Sequence, residues 1–482
     1  MLEILGRKQN TCEGVSRRRL LQVGGTGLLG LNVRDLLAAE HTVGESAGRA
    51  KSVIFMFLFG GPSQLETFDM KPQATDAIRG PFQPIASRTP GLRICEHLPL
   101  TAQVTDKCTV VRTMSHAYND HSGAGHYIQT GRRWHVPIGG GFNVTPQDWP
   151  SMGSVVEYLA QKNPSHRTAE GSDSMPSYAV VPNSLGRLQE YKVQLRRPGE
   201  TAGWLGRGYD PITTRIEKKD SADNPYWRDC TDDELTFRID GLLSPKALTL
   251  DRLQRRGLLL KQFDQQRTLL DSASIDVFDR FQQRAMALVS STQTAKALDI
   301  TREPAALRDR YGRHLFGQST LMARRLIEAG TRFATVHYDC VDGYSWDSHR
   351  NSNSLKNHLI PTMDQALSAL LTDLDDRGML DETLVVCVGE MGRTPKANKS
   401  WGRDHWSTVF PAVIAGAGIR RGALYGETDK DGGYATTQPV SPDDLAATIY
   451  HALGIDPHLR VPDAQGRPTH VVNGEPVLAL FG

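Results

Sequence analysis

Aspartate, histidine and glutamate residues suited to binding a metal recur in short polar stretches beside apolar runs of the chain. Asp347 and His349 are separated by one residue, so both side chains can reach one cation from a loop. Carboxylate oxygen combined with imidazole nitrogen suits zinc, manganese or iron. Capping of a surface turn produces the same spacing, so the pair by itself leaves both interpretations open.

Three further candidates lie at the ends of apolar runs. Glu390 directly follows one such run, and Asp404 and His405 come shortly before the next. A glutamate at the end of a buried strand costs desolvation unless it is paired or bound to metal. Arg393 is a partner that would make Glu390 purely structural. Adjacent residues normally point to different sides, so we expect at most one of Asp404 and His405 to bind metal while the other orients it; a turn stabilised by Asp404 is the alternative.

The polar stretch 120–132 contains His121, Ser122 and His126 among several glycines. It is typical of a loop that leads into a short helix beginning at Ser122. A hydroxyl at a helix start can approach a phosphate or sulfate closely, and glycines permit that approach. Ser122 is therefore a candidate nucleophile, and His121 or His126 is an alternative base, nucleophile or ligand. A purely structural role for Ser122, as the helix N-cap, is the competing interpretation.

The strands and helices that position these side chains are indicated by apolar runs that alternate with segments of helical periodicity. The run 52–59 is continuously apolar and ends in Gly-Gly-Pro, as expected of a strand buried on both faces of a parallel sheet. The alternation predicts a doubly wound α/β fold, with helices on both faces of a mostly parallel sheet and functional residues at the carboxyl ends of its strands. Further strands are predicted at 108–112, 178–181, 333–337, 383–388 and 409–415, and helices at 152–161, 317–329, 355–377 and 443–453.

The first fifty residues differ from the rest. Arg17 and Arg18 precede a weakly apolar, glycine-rich run, an order that resembles a twin-arginine export signal. We therefore predict that residues 1–50 are a signal peptide and linker, and that the twin-arginine export machinery delivers the protein to the periplasm or the exterior. A basic amphipathic first helix is the alternative. Residues 51–482 are predicted to form one domain, with 183–290 as an insertion or cap.

Overall composition excludes some classes of function. The net charge is +2, and outside the first fifty residues the chain has 49 residues of each sign, so no nucleic-acid partner is expected. No stretch approaches the roughly eighteen consecutive apolar residues of a membrane span. The six cysteines are scattered without a Cys-x-x-Cys pair, which argues against a structural zinc site or a disulfide scaffold.

The order of the polar stretches resembles that of alkaline-phosphatase-like enzymes, which include phosphatases, sulfatases and phosphoglycerate mutases. In those enzymes a Ser or Thr nucleophile opens a helix, and an Asp/His pair, an acidic strand end and a later His complete two metal sites. A narrower resemblance, to the family called domain of unknown function 1501, covers nearly the whole chain. Its motifs here are Gly60-Gly61-Pro62-Ser63, Thr67-Phe68-Asp69-Met70-Lys71-Pro72, Glu390-Met391-Gly392-Arg393-Thr394-Pro395 and Gly402-Arg403-Asp404-His405-Trp406.

The resemblance implies an exported metal-dependent hydrolase of phosphate or sulfate esters, and a sulfated or phosphorylated glycan is one such substrate. The implied cofactor is a divalent metal, with zinc preferred and manganese or calcium as alternatives. The implied metal site comprises Asp347, His349, Glu390, Asp404 and His405, and the implied catalytic residues are Ser122, His121 and Arg393, with Arg393 or Arg132 contacting the anion.

One departure from the superfamily pattern matters. The first strand ends in Gly60-Gly61, where these enzymes usually have a metal-binding Asp, so one of the two metal sites is expected to be altered or missing. This departure favours the alternative function, a non-catalytic cell-envelope binding protein that retains the fold.

Overall fold

The computed structural model describes residues 48–134, 143–163, 175–186, 188, 197–239, 291–339 and 346–482. The predicted export signal and residues 240–290 of the predicted insertion lie outside the described residues. Within the described part of the chain, no helix is both long enough and apolar enough to cross a membrane. The four cysteines of this part are unpaired and buried: Cys95, Cys108, Cys230 and Cys387.

A central sheet of nine strands organises the described residues. The strands in chain order are β1 Ser52–Leu58, β2 Pro84–Ala86, β3 Arg93–Cys95, β4 Cys108–Met114, β5 Tyr178–Val181, β6 Ile212–Arg215, β7 Arg238–Ile239, β8 Phe333–Tyr338, β9 Thr383–Val388, β10 Gly392–Arg393, β11 His405–Trp406, β12 Phe410–Ala415, β13 Ala423–Tyr425, β14 Glu427–Thr428, β15 Ala435–Thr437, β16 Arg460–Pro462 and β17 Pro468–His470. The order within the central sheet is β13-β4-β12-β9-β1-β8-β5-β6-β7, and the other strands form two-stranded pairs.

Helices cover both faces of this sheet. They are α1 Asp76–Arg79, α2 Pro99–Ala102, α3 His121–Thr130, α4 Met152–Lys162, α5 Thr292–Leu298, α6 Ala305–Tyr311, α7 Leu315–Glu328, α8 Leu359–Asp376 and α9 Pro442–Ala452. Alternate residues of β1 enter two separate cores. Ile54 and Met56 pack in the core that contains α7 and α8, whereas Phe55 and Phe57 pack in the core of α4 and α9. The doubly wound α/β prediction is confirmed, and burial on both faces explains the continuous apolar run of β1.

The directions of the strands determine which strand ends lie along the same edge of the sheet. Strand β1 is parallel to both of its neighbours, β8 and β9. Strand β12 is antiparallel to β9 and to β4, so β4 again runs in the direction of β1. The carboxyl ends of β1, β4, β8 and β9 and the amino end of β12 therefore lie along one edge of the sheet.

Several elements differ from the sequence-based expectation. Helix α8 begins at Leu359 rather than Leu355, because a 3-10 turn at Ser352–Asn357 precedes it. Helix α3 begins at His121, and Asp120 caps it by accepting a hydrogen bond from Gly123 N at 2.7 Å. The expectations that the helix starts at Ser122 and that His121 precedes it were therefore wrong. Strands β6 and β7, inside the segment 183–290, extend the central sheet at its edge.

Candidate metal centre

Three of the loops at this edge of the sheet bring three histidines and one aspartate together. His121 follows β4 as the first residue of α3, and Asp347 and His349 follow β8. His405 belongs to β11, directly before β12, and it reaches the same edge because β12 is antiparallel to its neighbours. His121, Asp347 and His405 offer ligand atoms that all lie within 4.8 Å of one another.

The three imidazoles turn the same nitrogen towards Asp347. His405 Nε2 lies 3.1 Å and His349 Nε2 lies 3.0 Å from Asp347 Oδ1. His121 Nε2 lies 3.2 Å from Asp347 Oδ2, in an ion-pair contact whose angles fall short of a hydrogen bond, so this buried nitrogen has no hydrogen-bond partner among the described residues. The Nε2 atoms of His349 and His405 are 3.0 Å apart.

The opposite nitrogen of each ring is held by an oxygen atom. His121 Nδ1 donates to Glu390 Oε1 at 2.6 Å, and His349 Nδ1 donates to Asp404 Oδ1 at 2.9 Å. His405 Nδ1 donates to the backbone oxygen of Asn119 at 2.7 Å. Carboxylate and carbonyl oxygens only accept hydrogen bonds, so each Nδ1 carries a proton and each Nε2 is the nitrogen available to a cation. This is the arrangement in which outer partners orient metal-binding histidines.

Glu390 lies behind His121 rather than in the group of converging ligand atoms. Its buried carboxylate accepts hydrogen bonds from Gly60 N at 2.9 and 3.1 Å as well as from His121. The backbone of Glu390 is held by His116, whose Nε2 donates to Glu390 O at 2.6 Å. Burial lowers the pKa of His116 to about 4, so this ring is neutral and stays a fixed donor.

A buried guanidinium faces Asp347 from the other side. Arg393 Nη2 lies 2.6 Å from Asp347 Oδ1, and its other donors reach the backbone oxygens of Gly60, Gly61 and Arg403. The suggested Glu390–Arg393 pair was therefore wrong: Glu390 pairs with His121, and Arg393 pairs with Asp347. Asp404 also orients His349, and not its neighbour His405.

The charges in this cluster reinforce one another. Burial alone would raise the pKa of the Asp347 carboxyl, but the close contacts with His121 and His405 and the charge of Arg393 bring this pKa well below its usual range. Burial lowers the pKa of His121, yet the carboxylates of Asp347 and Glu390 outweigh that effect and raise it to about 9. A positive charge is thus favoured where the Nε2 atoms converge, and a metal ion would replace the proton of His121 there.

The spacing of these atoms fits a divalent cation. Two nitrogens bound tetrahedrally to one zinc ion, each at about 2.0–2.1 Å, lie about 3.3–3.4 Å apart. The distance of 3.0 Å between His349 Nε2 and His405 Nε2 is close to that value. Mixed nitrogen and oxygen donors suit zinc, manganese or iron, whereas calcium prefers oxygen donors alone. The residues of the cluster fit a resident metal.

Ser122 directly follows His121 in α3 and is buried. Its Oγ accepts a hydrogen bond at 3.2 Å from Arg197 Nη1. The guanidinium of Arg197 lies 5.3 Å from the centroid of the Phe59 ring, and the His121 ring lies 5.4 Å from the same centroid. Arg197, the cationic partner of Ser122, therefore lies against the same aromatic ring as His121 of the metal cluster.

Two other candidates from the same stretch of sequence point elsewhere. His126 is buried, and its Nδ1 lies 3.1 Å from the backbone oxygen of Arg132. The guanidinium of Arg132 lies 4.5 Å from the centroid of the Trp149 ring and donates to the backbone of residues 470 and 471. These contacts are structural, and they explain why Arg132 is held away from solvent.

Sequence reasoning missed three residues of this site: His116, Asn119 and Arg197. His116 and Asn119 lie in the polar stretch that follows β4, so their position at a strand end was a usable signal. No sequence signal marked Arg197, because it lies among other arginines in a segment without periodicity. Only the fold brings its side chain to Ser122.

The fold and the cluster define an α/β protein with a histidine-rich centre at the carboxyl ends of its strands. The chain belongs to the family described as protein of unknown function DUF1501, whose model matches residues 50–481. Among curated proteins, none matches the chain by sequence.

Solved structures with a similar fold include three hydrolases. The phosphonate monoester hydrolase SpPMH from Silicibacter pomeroyi is 11% identical, with 89% of this chain and 76% of that chain covered and a TM-score of 0.36. The PsFucS1 sulfatase from Pseudoalteromonas sp. is 12% identical, with 88% and 70% covered and a TM-score of 0.33. The alkaline phosphatase from the Antarctic bacterium TAB5 is 13% identical, with 79% and 95% covered and a TM-score of 0.33.

Proposed function

We propose that this protein is a metal-dependent hydrolase of phosphate or sulfate esters. The observation that carries the proposal is the convergence of three imidazole Nε2 atoms on Asp347, each ring held at Nδ1 by its own acceptor. Such outer support is the hallmark of histidines that bind metal. The imidazole-rich donor set favours zinc or manganese over calcium.

Each residue of the cluster has a separate task in this proposal. His121, Asp347 and His405 bind the cation, and His349 joins them through its Nε2. Glu390, Asp404 and Asn119 orient the three imidazoles. Arg393 is fully buried with each of its nitrogens donating inside the protein, so we assign it the positioning of Asp347 rather than contact with substrate.

The substrate anion would meet Ser122 and Arg197. A divalent cation held by the cluster would polarise the ester and lower the pKa of a nearby hydroxyl. Ser122 Oγ is the nucleophile, and Arg197, which already donates to this oxygen, would also donate to the phosphate or sulfate as its negative charge shifts. The N–H of Gly123 at the start of α3 already donates a hydrogen bond to Asp120, so it is not available to the anion. Recognition of the anion therefore depends on Arg197 more than on the helix terminus.

Chelation is the direct test of this proposal. The purified, folded protein is assayed with aryl phosphates and aryl sulfates before and after treatment with a chelator. Hydrolysis of one ester class is expected to fall to the background rate and to return with zinc or manganese but not with calcium. Hydrolysis that persists in chelator would contradict metal dependence. Bound metal without turnover of either ester would instead favour the non-catalytic binding protein.

Export is the second part of the proposed function. Residues 16–33 place the paired arginines before a weakly apolar run, which suits the twin-arginine route. Conversion of Arg17 and Arg18 to lysine keeps the charge and is expected to leave the protein in the cytoplasm. Cell fractionation measures the outcome, with Arg7→Lys as the control. Unchanged delivery of the double variant to the periplasm would rule out this route.

A further inference from the structure

Two interlocked loops adjoin the metal cluster and carry features that hydrolysis of an ester does not require. One is 349–352, which begins with His349, and the other is 396–402, the tip of the hairpin formed by β10 and β11. Asn398 Nδ2 donates to His349 O at 2.9 Å. Asn351 N donates to Ser400 O at 2.9 Å, and Ser352 N donates to Trp401 O at 2.8 Å.

Trp401 occupies an unfavourable position in the second loop. Its φ is 57°, in the left-handed region that bulky residues rarely adopt, and 54% of its surface is exposed. Such a backbone is energetically costly and persists where the surroundings enforce it, usually at functional sites. Here two backbone hydrogen bonds hold Trp401: its N donates to Asn398 O at 3.0 Å, and Ser352 N donates to its O at 2.8 Å. The same loop is anchored by the buried guanidinium of Arg403, which lies 2.5 Å from Glu66 Oε1.

Three cations lie on the same two loops as this exposed indole. Arg350, Lys396 and Lys399 are all exposed. None of the three forms an ion pair with another described residue. The chain as a whole is nearly neutral, with a net charge of +2, so the local excess of positive charge is not a general property of its surface.

We propose that loops 349–352 and 396–402 form a subsite for a polyanionic carbohydrate, with Trp401 as the platform for a sugar ring. The proposal rests on the proposed function and names the substrate class: a glycan that carries several sulfate or phosphate groups. An indole face is apolar with partial negative charge, so it packs against the C–H face of a sugar. Arg350, Lys396 and Lys399 would bind the anionic groups of the flanking sugars.

A nucleic acid is also a polyanion with rings that stack on aromatic side chains. Proteins that bind single strands usually combine a long basic groove with several aromatic platforms. The patch here has one indole and three cations beside a centre suited to a single ester. A carbohydrate therefore fits better than a nucleic acid, and single-stranded DNA becomes a comparison in the test.

The test measures retention of the full mature protein in native gels that contain a polysaccharide. The probes are heparin, chondroitin sulfate, carrageenan and phosphomannan, with unsulfated agarose and single-stranded DNA for comparison. Trp401→Ala is expected to weaken retention by a charged glycan about tenfold. The double variant Lys396→Gln/Lys399→Gln should weaken it as well and reduce its dependence on salt. Leu478→Ala, which also removes an exposed apolar side chain, and Arg207→Gln/Arg238→Gln are the matched controls.

The outcomes separate this inference from the proposed hydrolase activity. Among the described residues, Trp401 forms no hydrogen bond or ring contact with a group assigned to catalysis, so turnover of an aryl ester should be unchanged in Trp401→Ala. Retention that depends on Trp401, in a protein that hydrolyses neither ester, would contradict the proposed hydrolase activity and support the carbohydrate subsite. The inference is overturned if no charged glycan retains the wild-type protein, if Trp401→Ala is retained equally, or if DNA is retained more strongly than every glycan.

Discussion

Replacement of His405 by alanine is expected to strip the protein of its metal. His405 Nε2 lies 3.1 Å from Asp347 Oδ1 and 3.0 Å from His349 Nε2, at the centre of the converging ligand atoms. Loss of an outer partner of a metal ligand typically lowers affinity about 10–100-fold. Loss of His405 itself should lower the affinity for metal by more than this range. Glu390→Gln changes only the hydrogen bond that orients His121, so it should lower the affinity by an amount within this range. Elemental analysis of the dialysed proteins measures both effects.

Two controls make the result specific. His458→Ala removes an exposed histidine from another part of the chain and should leave the metal content unchanged. Glu382→Gln makes the same change as Glu390→Gln in an exposed residue that pairs with Lys51. Equal metal in wild type and His405→Ala, or no metal in either, would argue against a shared site.

Replacement of Ser122 by alanine is expected to lower kcat by about 10³-fold or more on the ester class that the wild type hydrolyses, at equal metal content. A serine hydroxyl is a weak nucleophile until a neighbouring group activates it. Here the buried Oγ accepts a hydrogen bond from a cationic donor, Arg197, and Ser122 directly follows His121 of the metal cluster in α3. Single-turnover assays on the metal-loaded variant measure the loss.

The control for this variant is Ser154→Ala. Ser154 is also a buried serine in the first turn of a helix, and its hydroxyl accepts a hydrogen bond from Ser151 at 2.9 Å. The Ser154→Ala variant should retain full activity. If Ser122→Ala were also fully active, the fold and the metal centre would stand, and the nucleophile would have to be His121 or a metal-bound water. The melting temperature of Ser122→Ala should stay close to that of the wild type, since Arg197 is the only described residue that hydrogen-bonds to this hydroxyl.

The sequence by itself determined the elements and the kinds of residue in the site. Strands β5 and β9 begin and end where predicted, because strands buried on both faces require continuous apolar runs. Asp347, His349 and His405 were identifiable because carboxylates and imidazoles near strand ends are expensive to desolvate unless they bind something. These signals are local, and each can be read within about ten residues of chain.

The tertiary structure decided which of these groups meet. Glu390 and Arg393 are close in sequence, yet their partners, His121 and Asp347, come from other strand ends, 269 and 46 residues away along the chain. Such pairings follow from strand order and direction, which local periodicity does not encode.

The direction of β12 is the clearest example. Had it run parallel to β9, its amino end would lie at the opposite edge of the sheet and would take His405 away from Asp347. The partner of each Nδ1 and the arrival of Arg197 at Ser122 likewise depend on loop packing between distant segments. The sequence therefore determined the chemistry available at this edge, and only the folded arrangement determined its geometry, because strand direction and loop contacts set the distances between side chains.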